Sequence, residues 1–335
     1  MQLSDLNLNY HKSVLLWLLL LTIMVFLMII IGGLTRLTDS GLSMVEWKPL
    51  LGFIPPLSHE EWIRVFELYR NTPEYKFYNK GMELEEFKII FFWEYFHRFW
   101  GRIIGLIFIL PFLYFLKNKR LTKKNIFSLF VILILGTLQA LIGWWMVKSG
   151  LIKDPDVSQY RLAIHLSNAF LIMFLILWLI LDLYEGESKI KLNFNFFTLI
   201  IVSITIVAGS FVAGMDAGLM YNTYPLMNDK FLPDQYLTLG YLDPFENPGS
   251  AQFHHRHLGF ICLIIFSIFY YKNYKIKRIR LRVNILLILI FSQFFLGIFI
   301  LLKYVPILFA SLHQFGAMMI FLLITSIIHS ENAYN

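Results

Sequence analysis

Residues 13–33 read Ser13-Val-Leu-Leu-Trp-Leu-Leu-Leu-Leu-Thr-Ile-Met-Val-Phe-Leu-Met-Ile-Ile-Ile-Gly-Gly33, a run without a charged side chain. A helix needs about 20 apolar residues to cross roughly 30 Å of hydrocarbon, so this run has the length of a span. A strand of an outer-membrane barrel would be about 10 residues of alternating polarity instead. The run is too long for the apolar core of a signal peptide, has no Ala-x-Ala-like cleavage site, and is followed by more of its kind. Apolar blocks recur at 89–116, 126–147, 161–183, 196–215, 255–271, 284–302 and 309–329. The expectation is an all-α integral membrane protein of eight transmembrane helices.

Composition agrees with that reading. Of 335 residues, 58% are hydrophobic and only 15% charged, against about 45–50% and about 25% in soluble domains. Mean hydropathy is +0.64, which excludes an ordinary soluble enzyme and a disordered chain. The single cysteine, Cys262, lies inside an apolar block, so no internal disulfide and no cysteine-based metal site can form. Nine histidines are the metal-binding and titratable resource.

The net charge of +7 serves topology first. Lys117, Lys119, Arg120, Lys123 and Lys124 separate the second and third spans, and Lys272, Lys275, Lys277, Arg278, Arg280 and Arg282 separate the sixth and seventh, with no acid among them. Short basic loops stay cytoplasmic, which places both termini inside. The outer connections are then a long loop over 34–88, a short one near Lys153, a long one over 216–254 and a tight turn near Lys303. The loop after the fifth span is acidic: Asp216, Asp229, Asp234, Asp243 and Glu246 against Lys230. Charge confined in this way gives no nucleic-acid surface.

The chain repeats itself. Gly32-Gly-Leu-Thr-Arg-Leu-Thr-Asp-Ser-Gly-Leu42 is echoed by Gly209-Ser-Phe-Val-Ala-Gly-Met-Asp-Ala-Gly-Leu219, each leading to prolines, Pro49 and Pro55-Pro56 in one case, Pro225 and Pro233 in the other. Spans two and six share His-Arg-x-x-Gly at His97 and His255. Spans three and seven share Gln-x-x-x-Gly at Gln139/Gly143 and Gln293/Gly297, and spans four and eight each carry one early histidine, His165 and His313. An even number of spans per copy gives both copies the same orientation. Two duplicated four-helix bundles are expected, over residues 1–190 and 191–335.

His97, His165, His255 and His313 all enter from the outer side, within about the first two or three turns of their helices. Ionisable groups inside spans are costly and serve a pathway, a cofactor or a partner. Two histidines at one depth on two helices is the arrangement for bis-imidazole ligation of a haem iron. A lone histidine near a helix start is as well explained by reaching the headgroups; His11, His59 and His329 show no such pairing. Arg98 and Arg256 each follow a candidate ligand, where a guanidinium can pair a haem propionate or anchor the helix in phospholipid. His254 and His257 compete with His255 as ligands, and the repeat register favours His255. Glu94 stands three residues before His97, whereas Gln252 stands three before His255. A carboxylate can take a proton or stabilise positive charge and an amide cannot, so chemistry is expected in the first half and a resident cofactor in the second. An i,i+4 ion pair of Glu94 with Arg98 is the competing reading.

These residues resemble the haem A synthase family. Glu94-Tyr95-Phe96-His97-Arg98 matches its Glu-x-x-His-Arg motif, with Gln252 to Arg256, His165, His313-Gln314 and the Gly-Leu-Thr-Arg-Leu-Thr-x-Ser-Gly-Leu stretch in the expected order. The resemblance covers nearly the whole chain. It implies oxidation of the C8 methyl of haem O to a formyl group, giving haem A for terminal oxidase assembly in the bacterial inner membrane. It further implies a haem b on His255 and His313 with Arg256 beside it, substrate haem O on His97 and His165 with Arg98, and Glu94 as the essential carboxylate. Implied partners are haem O synthase and terminal oxidase assembly factors, and a homo-oligomer is compatible. Paired outer-loop cysteines known in some bacterial members are absent, as in the cysteine-free branch of alphaproteobacteria and mitochondria. A di-haem electron-transfer protein of cytochrome b type is the rival reading. A transporter of parallel repeats fits less well, because the spans lack Gly/Pro-broken midplane segments.

Overall fold

In a computed structural model the chain is described over residues 3–48, 52–152 and 155–333, with side chains over 12–48, 52–152 and 155–332. Pro49, Lys153 and the side chain of His11 lie outside these ranges. The described elements are all helical: α1 (Leu3–Leu37), α2 (His59–Arg70), α3 (Pro73–Phe77), α4 (Leu84–Lys117), α5 (Lys123–Gly150), α6 (Gln159–Glu185), α7 (Phe194–Gly214), α8 (Asp243–Glu246), α9 (Pro248–Asn273), α10 (Arg280–Leu302) and α11 (Ile307–Ala333), with two single 3-10 turns after α7. Eight of them, α1, α4–α7 and α9–α11, are long and apolar enough to cross a membrane. In hydrocarbon every backbone N–H and C=O must be satisfied within the segment, which continuous helices achieve. Large apolar side chains such as Leu16, Ile23, Phe92, Leu110 and Phe127 stand exposed along these helices, as a lipid-facing surface requires.

Polar caps set where the spans begin. Thr122 accepts from the Asn125 N–H, Asn193 from that of Phe196, and Asn247 from Gly249 and Ser250 with Pro248 in the first turn. Helix α4 starts five residues earlier than the apolar block at 89, because Glu83 and Glu86 form a reciprocal capping box. His97 therefore lies 13 residues, roughly 20 Å of rise, from its helix start, deeper along its helix than the expected two or three turns.

Two compact units are present, residues 20–172 and residues 173–335 with 1–19. In the first, the loop after α1 folds into α2 and α3. Tyr69, Tyr75, Phe87 and Phe91 form its buried core, with Trp62 and Phe66 packed on them. In the second, α9 packs on α7 and α10, and α11 on α10 and α7. At one end of that unit His329 is buried and binds Asp182 at 2.9 Å, while Arg278 and Arg282 approach Glu185 at 3.6 and 3.7 Å.

Candidate haem sites

Each of the four histidines meets a glycine on another helix. A Cβ added at Gly32 of α1 would stand 3.2 Å from His97 Nε2; one at Gly143 of α5, 3.1 Å from His165 Cε1; one at Gly209 of α7, 2.9 Å from His255 Cε1; one at Gly297 of α10, 3.1 Å from His313 Cε1. The glycines make room for imidazoles on the neighbouring helices. Two of them also carry the glutamine that stands four residues earlier: Gln139 Nε2 donates to the His165 carbonyl at 3.0 Å and Gln293 Nε2 to the His313 carbonyl at 2.7 Å. Asn168 braces Gln139 in turn, donating to its Oε1 at 2.6 Å.

The unit of residues 173–335 brings His255 and His313 together, ring centroids 6.5 Å apart and planes at 76°. Metal–nitrogen bonds of about 2 Å on both sides, plus the two ring radii, separate axial imidazole centroids by roughly 6 Å. The observed centroid spacing is of that size. Among the described residues the buried Nδ1 atoms of His165 and His313 have no hydrogen-bond partner, a costly state unless a ligand uses the ring. No cluster of three or more histidine, cysteine or acidic side chains able to hold a bare metal ion occurs among the described residues. The His255 and His313 spacing fits an iron that brings its own equatorial ligands, as haem does. His97 and His165 lie within electrostatic reach of one another in the other unit.

Glu94 is 2% exposed and fully engaged. Its Oε2 accepts from the Ser43 hydroxyl at 2.7 Å and the Met44 N–H at 2.6 Å, and its Oε1 from Arg98 Nη2 at 2.5 Å. The i,i+4 ion pair is thus present, together with two donors from the loop after α1. Arg98 also donates to the carbonyls of Glu46 at 3.1 Å and Met44 at 3.0 Å, clipping that loop onto α4. Around Gln252 the same pattern recurs without the charge. Gln252 Nε2 donates to Tyr221 O at 3.2 Å, and Arg256 donates to Gln252 Oε1 at 3.2 Å, Tyr221 O at 2.7 Å and Thr223 O at 3.0 Å. Both arginines thus bind loop backbone; among the described residues the buried Nε of Arg256 has no partner.

His257 Nδ1 is 2.8 Å from the carbonyl of Phe253, and its ring packs on the Phe253 ring. His254 lies beside Tyr236, with ring centroids 5.8 Å apart. Only His255 of the three pairs with His313 in ring contact among the described residues. Ser43 was missed at the level of sequence, since the repeated stretch ends at Leu42; the echo of Gly32 to Leu42 at Gly209 was the only signal near it.

Comparison with known proteins gives a family. The profile of the cytochrome oxidase assembly protein family matches residues 15–325. A haem A synthase of Nitrosospira multiformis is 45% identical over 333 residues, covering 96% of this chain and 94% of its own length. One from Wolbachia pipientis of Culex pipiens is 43% identical, covering 92% and 95%. One from Parvibaculum lavamentivorans is 40% identical, covering 93% and 92%.

Proposed function

Because the chain belongs to the cytochrome oxidase assembly protein family, we propose that it is a haem A synthase, a multi-pass inner-membrane oxidoreductase with both termini cytoplasmic. Its substrate is haem O, whose C8 methyl is oxidised to a formyl group. The observation that carries this reading is the charge asymmetry between two otherwise matching arrangements: Glu94 with Arg98 in one, Gln252 with Arg256 in the other. Two electron-carrying sites have no need of a carboxylate in only one, and the family match gives the di-haem electron carrier no support.

His97 and His165 hold the substrate, and His255 and His313 hold a haem b. That haem, when bound, supplies one-electron transfer. Glu94 lies on the face of α4 that carries His97, three residues away. Taking two electrons but only one proton from a methyl leaves positive charge on the carbon. A buried carboxylate already fixed by Ser43, Met44 and Arg98 stabilises that charge without reorganising. Three donors occupy three of its roughly four acceptor sites, which leaves Oε1 room for a proton. A glycine at each contact leaves the imidazole room that a larger side chain would take. Product haem A passes to terminal oxidase assembly factors, and haem O synthase supplies the substrate.

Glu94→Gln is the test. It keeps shape and hydrogen-bonding capacity and removes the charge, so haem A formation should fall by at least about 10²-fold. The haem on His255 and His313 should remain. Conversion at the wild-type rate by this variant would overturn the role of Glu94.

A further inference from the structure

Arg98, the partner of Glu94, lines a cavity of about 220 Å³ together with Met44, Trp47, Trp144, Val147 and Lys148. Pockets that enclose a whole small molecule run about 300–1,000 Å³, so this one takes a single arm of a larger ligand. Its lining holds two cations and no carboxylate. Arg98 is paired with Glu94. Lys148 forms no ion pair or hydrogen bond among the described residues, and its ammonium rests 5.0 Å from the Trp144 ring centroid. Arg98 stands likewise 5.8 Å from the ring of Trp47, and the two indoles are 6.5 Å apart. The nearby carboxylate of Glu46 is already bound by Lys48 and Arg64, each at 3.0 Å. Among the described residues the mouth therefore carries a positive charge with no acidic partner, against two indole faces.

Depth points the same way. Lys148 follows Gly143, the glycine under His165, by five residues, or roughly 7.5 Å of helical rise toward the outer end of α5. The register of Gln139/Gly143 and Gln293/Gly297 puts Ile298 and Leu302 where Trp144 and Lys148 stand. The second half offers neither the indole nor the cation at these positions. A lysine and an indole added at these positions in one half alone suit a ligand that must enter and leave.

Resting on the reading of this half as the substrate site, we propose that Lys148 and Arg98, backed by Trp47 and Trp144, form a carboxylate pocket that receives one propionate of the substrate porphyrin on the outer side of His97 and His165. Lys148 is a specificity residue: it selects the free acid over an uncharged ester.

The test is binding, not turnover. Full-length protein in neutral-lipid nanodiscs is titrated with haem O and with its dimethyl ester, followed in the Soret band. Wild type should bind the diacid at least about tenfold more tightly, the strength of one charge-assisted hydrogen bond. Lys148→Gln should erase that preference, Lys148→Arg should keep most of it, and the bands of the haem on His255 and His313 should be unchanged in both. A preference undiminished in Lys148→Gln, or no preference in a wild type that binds and converts haem O, overturns the pocket and leaves the synthase reading standing. Wild type that binds neither form overturns both. A phosphatidylglycerol arm separates the other source of anionic oxygens: a preference surviving in anionic nanodiscs supports the propionate, and its loss there assigns the pocket to a phosphate headgroup and overturns the proposal.

Discussion

Glu94 is a charge held in place from three directions, and its donors are as testable as the carboxylate. The Ser43 hydroxyl is 1% exposed and also lies 3.1 Å from the Ser40 carbonyl, so its removal leaves Met44 and Arg98 on Glu94 while freeing one lone pair. A lost hydrogen bond to a charged group is worth about 1.5–3 kcal/mol. Ser43→Ala should therefore slow haem A formation by about 10- to 100-fold with haem content unchanged; an unimpaired rate would show that Glu94 needs no help from the loop. At this scale the sequence was informative about types and spacing. Glu94, His97 and Arg98 stand in one motif, and the contrast with Gln252 is visible from residue identity alone. It was silent on Ser43, because a contact across 51 positions of chain leaves no periodic trace. For the arginines it set propionate against phospholipid, while in the structure both donate to loop carbonyls that no side-chain pattern reveals.

The helices carry the next tests. Gly297 leaves His313 the space it occupies, and the added atoms of valine would meet the ring at the 3.1 Å approach of the first carbon. Displacing a supporting group typically costs 10- to 100-fold in metal affinity. Gly297→Val should accordingly lower haem retention by about 10- to 100-fold, checked by the absorbance of the purified protein; normal retention would contradict the packing argument. The outer helices α2 and α3 make a separate prediction. Burial pushes the carboxyl of Glu74 up to about 8, helped by the negative charges of Glu94, Asp39 and Asp156. The folded form then holds a proton that the unfolded form releases from about pH 4.5 upward, so stability of this cap falls as pH rises toward 8. Glu74→Gln should flatten that dependence, measured by hydrogen exchange over 59–77; a wild-type slope in the variant would contradict the assignment. The eight spans were legible because apolar length is a local property. The cap was not: its polar surface hides a core made by Tyr69, Tyr75, Phe87 and Phe91 meeting across turns of chain. The early start of α4 was written in Glu83 and Glu86, a capping signal outweighed by the apolar count that began at Ile89.

For the molecule as a whole, hydrophobic content and charge distribution decided class, and the order of four histidines pointed to a chemistry. The pairing of His255 with His313 at 6.5 Å turns that order into a geometry suited to one iron. Glycine under each imidazole and glutamine on two of the histidine carbonyls recur in both units, which supports reading the chain as two copies of one bundle. The copies differ at Glu94, which corresponds to Gln252, and at Lys148, which corresponds to Leu302. The most direct measurement is chromatography of the haems extracted from purified protein. Haem B together with haem O or haem A is the predicted result. Haem B alone would contradict the account in favour of an electron carrier, and no haem at all would contradict both sites.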